Sequence, residues 1–153
     1  MGLLCMGLLL LSIPLSPQSY IANVDFLGTA VSCGTSTTLV NGTNFASVPV
    51  RVSYPGYGSI VALTVTFTRT TGDANTVDFE FQASYDNGTT WDTAYYVRIQ
   101  TATNATAVSS VVRTTSLVNV MGLSHLRLYR IKNNSGTIAL TACNATMSIG
   151  VSN

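Results

Sequence analysis

Val61-Ala62-Leu63-Thr64-Val65-Thr66-Phe67-Thr68 sets a large apolar side chain on every second residue and Ala or Thr between them. A period of two is that of a β-strand with one buried and one open face, and Thr fits a pleated sheet well. Val77 to Tyr85 follows the same rule, with Phe79 and Phe81 on one face, and so does Trp91 to Gln100, where Tyr95 and Val97 alternate with Tyr96 and Arg98. Between these two runs stands Asp86-Asn87-Gly88-Thr89, whose Asn-Gly pair supplies the positive φ angles of a tight hairpin. Further strands are predicted near Val48 to Ser53, Ala107 to Arg113, Leu126 to Lys132, Thr137 to Ala142 and Ala145 to Gly150, with a second turn at Asn133 to Gly136. After Leu128 the apolar phase of Leu126 to Ile131 slips by one residue, which predicts a bulge. No segment after residue 20 holds a helical period. The expected fold is all-β, an antiparallel β-sandwich or jelly-roll-like domain, over residues 20–153.

The chain has 153 residues, enough for one such domain. Charged residues make up 8% of it, against about 25% in an ordinary soluble domain, while 46% is hydrophobic. Its surface is therefore covered by Thr, Ser, Asn and Gly or by neighbouring subunits. A net charge of +1 gives no electrostatic basis for a direct nucleic-acid partner.

Residues 1–19 are read apart, as an extended apolar arm. Leu3, Leu4 and the run Leu8-Leu9-Leu10-Leu11 precede Pro14 and Pro17 with no charge among them. The stretch has the core of a secretory signal peptide but lacks the basic residues that precede one, and it is too short for a comfortable transmembrane helix. The two readings are an assembly arm buried against its own domain or a neighbour, placed first, and a cleaved signal peptide. No membrane is expected in the mature form. Asn-x-Ser/Thr sequons at Asn41, Asn87, Asn104, Asn133 and Asn144 are a weak sign of glycosylation in a chain so rich in these residues.

Chemistry-bearing residues are sparse. His125 is the one histidine and falls in a predicted strand. The acids are Asp25, Asp73, Asp78, Glu80, Asp86 and Asp92; Asp78 and Glu80 share a strand face and are expected as solvated edge charge. There is no phosphate loop, no Cys-x-x-Cys and no nucleophile elbow, so no catalytic residue, metal or cofactor is expected. Cys33 and Cys143 are either a disulfide between the first and last parts of the domain or two buried thiols; Cys5 lies in the arm. Tyr54, Tyr57, Tyr95 and Tyr96 are candidates for a sugar-stacking platform, against ordinary sheet packing.

Ser84-Tyr85-Asp86-Asn87-Gly88-Thr89-Thr90-Trp91 fits Ser-x-Asp-x-Gly-x-Thr-Trp and resembles the Asp box, a hairpin repeated in sialidase propellers and found singly in other β proteins. The resemblance implies that Ser84, Asp86, Gly88, Thr90 and Trp91 are structural, with Asp86 and Thr90 tied across the turn and Trp91 packed beneath it. A sialidase would need several boxes and a longer chain. The order from Val77 onward, through Gly122-Leu123-Ser124-His125-Leu126-Arg127-Leu128 to Asn134-Ser135-Gly136-Thr137-Ile138, resembles small β-sandwich virion proteins of tailed bacteriophages over about half of the chain. What this implies is a non-enzymatic capsid decoration (cement) protein on the virion surface, homo-oligomeric and bound to the major capsid or another virion protein. The alternative is a secreted, extracellular binding module, adhesin or filament subunit with residues 1–19 removed.

Overall fold

A computed structural model describes residues 21–34, 38–53, 59–69, 75–102, 110–135 and 138–150. The apolar arm, Cys5, Tyr54, Tyr57, Asp73 and the sequon at Asn104 lie outside the described residues. Ten strands are present among the described residues: β1 (Ile21–Asp25), β2 (Val31–Cys33), β3 (Thr38–Val40), β4 (Val50–Arg51), β5 (Ile60–Arg69), β6 (Thr76–Ser84), β7 (Val97–Ala102), β8 (Ser110–Asn119), β9 (His125–Asn133) and β10 (Leu140–Gly150). They form two antiparallel sheets and no helix among the described residues.

The first sheet runs β1-β10-β5-β8, with β2 beside β1 along the same edge of β10. The second runs β3-β9-β6-β7, with β4 beside β3 along β9. Counting β1 with β2 and β3 with β4 as one interrupted strand each, the chain alternates between sheets at every step except β6 to β7. This is the strand order of a jelly roll, which leaves sequence neighbours facing each other across the core instead of bonded side by side. The fold is the antiparallel sandwich expected from the sequence.

Each strand lends the core its inward row. In β5 these are Val61, Leu63, Val65 and Phe67, all at most 1% exposed, as the quoted alternation requires. Phe79 stacks on Phe67 at 6.3 Å, and Phe81 meets Phe26 edge to face at 5.2 Å. In β9 the expected bulge is present: Glu80 pairs with Arg130 and Phe81 with Leu128, so Tyr129 is the extra residue, and both Leu128 and Ile131 point inward.

Four expectations need correction. The strand drawn from Trp91 starts only at Val97, because three residues between the bonds Asp92 N to Ala83 O and Tyr96 N to Phe81 O leave the ladder. The strand drawn to Arg113 continues to Asn119, since Thr114, Thr115 and Ser116 pair with Val65, Thr64 and Leu63. The last two strands are one, β10, broken by an irregularity between Thr141 and Asn144 where Ala142 takes a φ of 51°. Asp78 and Glu80 are not solvated edge charge: β6 is flanked on both sides by β9 and β7, and the two acids are 4% and 3% exposed.

Phe81 fills the centre of this core with no exposed surface. Phe81→Ala is expected to lower unfolding free energy by about 3 to 5 kcal/mol, measured by denaturant titration; a loss below about 1 kcal/mol is incompatible with this packing.

Candidate functional site

The Asp-box residues come together at the tip that joins β6 to β7. Asn87 and Gly88 have φ angles of 59° and 80°, the two left-handed residues of a type I′ turn. Asp86 Oδ1 accepts from the Thr90 amide at 2.8 Å and from the Ser84 hydroxyl at 2.9 Å, and Oδ2 accepts from the Thr90 hydroxyl at 2.8 Å. The Ser84 hydroxyl in turn accepts from the Gly88 amide at 2.9 Å. These bonds, the Thr90 amide first, hold the Asp86 carboxyl at about 2, below its ordinary 3.8. The aromatic member is less covered than the resemblance implies. Trp91 is half-buried; its ring lies beneath Gly88, where an added Cβ would sit 3.6 Å from it, and the Arg127 guanidinium stands 4.3 Å above the ring centroid.

Ser124, which sequence reading did not single out, ties this tip to the segment before β9. Its hydroxyl accepts from the Asn87 amide at 3.0 Å and donates to Ser84 O at 2.8 Å, and its own amide donates to Ser84 O at 2.8 Å. No local motif marks it, because its partners lie far away in sequence. Beside it opens a hollow of about 410 Å³ lined by Val52, Ser53, Ser59, Tyr85, Asn87 and the run from Val120 to Ser124. Hydroxyls, an amide and apolar groups line it, with no carboxylate, imidazole or cation among them. Among the described residues such a lining offers contact and hydrogen bonds but no acid–base pair.

Of the remaining candidates, His125 lies under this same tip, its ring 3.9 Å from where a Cβ on Gly88 would sit, and the others stand elsewhere. His125 begins β9 with Nδ1 buried and without a partner among the described residues. No group of three His, Cys, Asp or Glu suited to a metal occurs among the described residues. The Tyr96 hydroxyl donates to Asn119 O at 2.8 Å, a tie between the two sheets, and Arg98 stands 5.5 Å over Tyr95. Asn133, first residue of a sequon, is 2% exposed and gives its amide protons to Gly34 O and Ile138 O, so it is occupied by the fold. Cys33 and Cys143 are both buried free thiols whose sulfurs lie 2.7 Å apart, brought together by the irregularity in β10. The hydrogen bond to Cys143 and then burial push the Cys33 thiol up from its ordinary value.

No family model and no curated protein matches the sequence. Among solved structures, the chain is similar to the infectious bursal disease virus VP2 subviral particle, with 6% identity and a TM-score of 0.46 over 88% of this chain and 33% of that one. It is similar to the infectious bursal disease virus Gx strain structure at 7% identity and a TM-score of 0.48, over 98% of this chain and 37% of that one. For the PRD1 vertex protein P5 the values are 10% and 0.41, over 87% of this chain and 96% of that one. The chain thus spans about a third of the length of the first two. At these identities no residue role passes to this chain.

Two outcomes are expected here. A group whose carboxyl is held below its unfolded value adds stability above that value and loses it as pH falls through the folded one. The Thr90 amide resonance should therefore titrate with a midpoint near pH 2, and Asp86→Asn should abolish that titration; a midpoint near 3.8 would show the carboxylate to be free of the turn. For the cysteines, refolding with a low-molecular-weight disulfide as oxidant is expected to join Cys33 to Cys143, reducing the oxidant to two thiols. Closing so long a loop should add about 4 to 5 kcal/mol, read as a higher denaturation midpoint. Three titratable thiols in the unfolded product, with Cys5 as the third, would show that the pair stays reduced.

Proposed function

We propose that this chain is a non-enzymatic structural protein of a virion, and more narrowly a homo-oligomeric capsid decoration (cement) protein bound to the major capsid or another virion protein at the shell surface. Jelly-roll strand order supports the reading only by analogy of fold, since lectins and other proteins share it. The observation that carries it is the unequal distribution of charge between the two sheets. The outer row positions of β4, β6, β7 and β9 hold Arg51, Asp78, Glu80, Arg98, Arg127, Arg130 and Lys132. The corresponding positions of β1, β5, β8 and β10 hold only Asp25 and Arg113 among Thr, Ser, Asn and apolar residues. One face carries charges, of which Arg51, Arg98 and Lys132 stand exposed to water, and the other offers a neighbour hydroxyls, amides and apolar side chains.

The arm extends the same logic. Ile21, where β1 starts, pairs with Gly150 at the end of the sheet that also holds Ile60 and Asn119. Docked onto a neighbouring subunit or the underlying shell, Met1 to Pro17 would bury leucines worth about 1.5 to 3 kcal/mol each, against an ordering cost of about 1 to 2 kcal/mol for every residue of the arm. The balance favours an arm that orders on assembly.

Deleting residues 2–16 is expected to leave the circular dichroism spectrum of the sandwich intact and to weaken particle binding strongly. Unchanged binding removes the arm from the mechanism. Intact mass of the native protein gives the second check, since a product starting near residue 20 returns the secreted binding module to first place.

A further inference from the structure

Of the sheet edges, three are interrupted or short. β1 and β2 are separated by residues 26–30, β3 and β4 by residues 41–49, and β7 has 6 residues. The fourth is β8, whose 10 residues pair with β5 without a register shift. No described strand pairs with its other side. Natural edge strands are guarded by proline, lysine, a bulge or brevity. Ser110 to Asn119 has none of these and carries one charge, Arg113. Its outward row carries Val111, 69% exposed, and Leu117, 76% exposed, and past Leu117 stand Ile60, 56% exposed and paired with Asn119, and Met121, 75% exposed.

We propose that β8 pairs antiparallel with β8 of a second copy of this chain about a two-fold axis through Thr114, joining the two neutral sheets into one. Alternation fixes the parity, because outward residues must lie opposite outward residues for both open faces to stay on one side. Among the central registers of that parity, the one about Arg113 opposes two guanidinium groups, and the one about Thr115 sets Val111 against Asn119 and Leu117 against Arg113. The register about Thr114 sets Val111 of each copy against Leu117 of the other, and Arg113 against Thr115. It forms two apolar cross-strand pairs and opposes no like charges. The second copy is thus the occupant to which this edge is complementary, and the contact is isologous as a two-fold requires.

This inference rests on the homo-oligomeric part of the reading above and is independent of the arm and of the virion. The test uses the full chain with Cys5→Ser, so that Cys33 and Cys143, both buried, are the only native thiols. Adding Val111→Cys and Leu117→Cys together is expected to give a covalent dimer on mild oxidation, linked between position 111 of one copy and 117 of the other by peptide mass spectrometry. Each single substitution should give much less. Sedimentation velocity supplies a second measurement: Val111→Lys with Leu117→Lys, both at exposed positions, should raise the dimer Kd about tenfold or more with an unchanged circular dichroism spectrum. A wild-type chain that stays monomeric, a link between other positions, or a Kd unmoved by the two lysines overturns the pairing. A dimer that forms but binds no particle keeps the pairing and removes the virion reading instead.

Discussion

Strand β6 is buried on both of its faces, and the rest of the sandwich is arranged around that constraint. Its inward row, Val77, Phe79, Phe81 and Ala83, is apolar and 0% exposed. Its outward row, Asp78, Glu80 and Gln82, is nearly as covered, so each polar group needs a partner in place. Arg130 supplies one at 2.6 Å to Glu80, Arg127 donates to the Gln82 carbonyl at 2.7 Å and 3.0 Å, and Gln100 and Asn134 donate to Asp78 at 2.9 Å and 3.1 Å. Removing one member of such a set leaves its partner covered and unpaired, which costs more than the pair contributes. The network therefore fixes the register of β9 and β7 on β6, and the bulge at Tyr129 is the adjustment that lets Arg130 face Glu80 while Leu128 and Ile131 both reach the core.

The sequence made legible those features whose cause is local. The β5 alternation, the Asn87-Gly88 turn and the phase slip in β9 each follow from a few adjacent residues, and each is present. The Asp86 bonds to Ser84 and Thr90 belong to the same class, spanning two and four residues. What escaped is set by distant partners. Asp78 and Glu80 read as exposed because their shielding comes from Gln100 and Arg130, each at least 22 residues away. Ser124 carries no local signal because its bonds reach back 37 and 40 residues.

Thr114 to Asn119 illustrates a second kind of failure. Thr114 and Ser116 are polar although they stand on the inward row, with only Val118 of that row in the core. Thr114 accepts from the Thr101 hydroxyl at 2.9 Å, a bond between the two sheets at their shared margin. A strand that closes a sandwich at its edge has little apolar area to cover, so its inward row need not be apolar. Periodicity of hydrophobic residues, the signal that found β5, fades at the edge for that reason.

The low charge of the chain acquires a physical sense once the faces are separated. Charges on the second sheet interlock across β9, β6 and β7, and there they hold strand register. On the first sheet the polar side chains satisfy one another laterally: Thr64 and Thr115 are 2.9 Å apart, Ser148 donates to Asn23 at 2.6 Å, and Asn144 donates to Asp25 at 3.0 Å. Covering a carboxylate or an ammonium strips it of water that a neighbour must replace, whereas covering hydroxyls and amides already bonded to each other removes much less. A face made this way can be buried by a neutral partner without a matching pattern of charges. Its specificity must then come from shape, backbone edges and apolar rows, which are the features that β8 and its surroundings present.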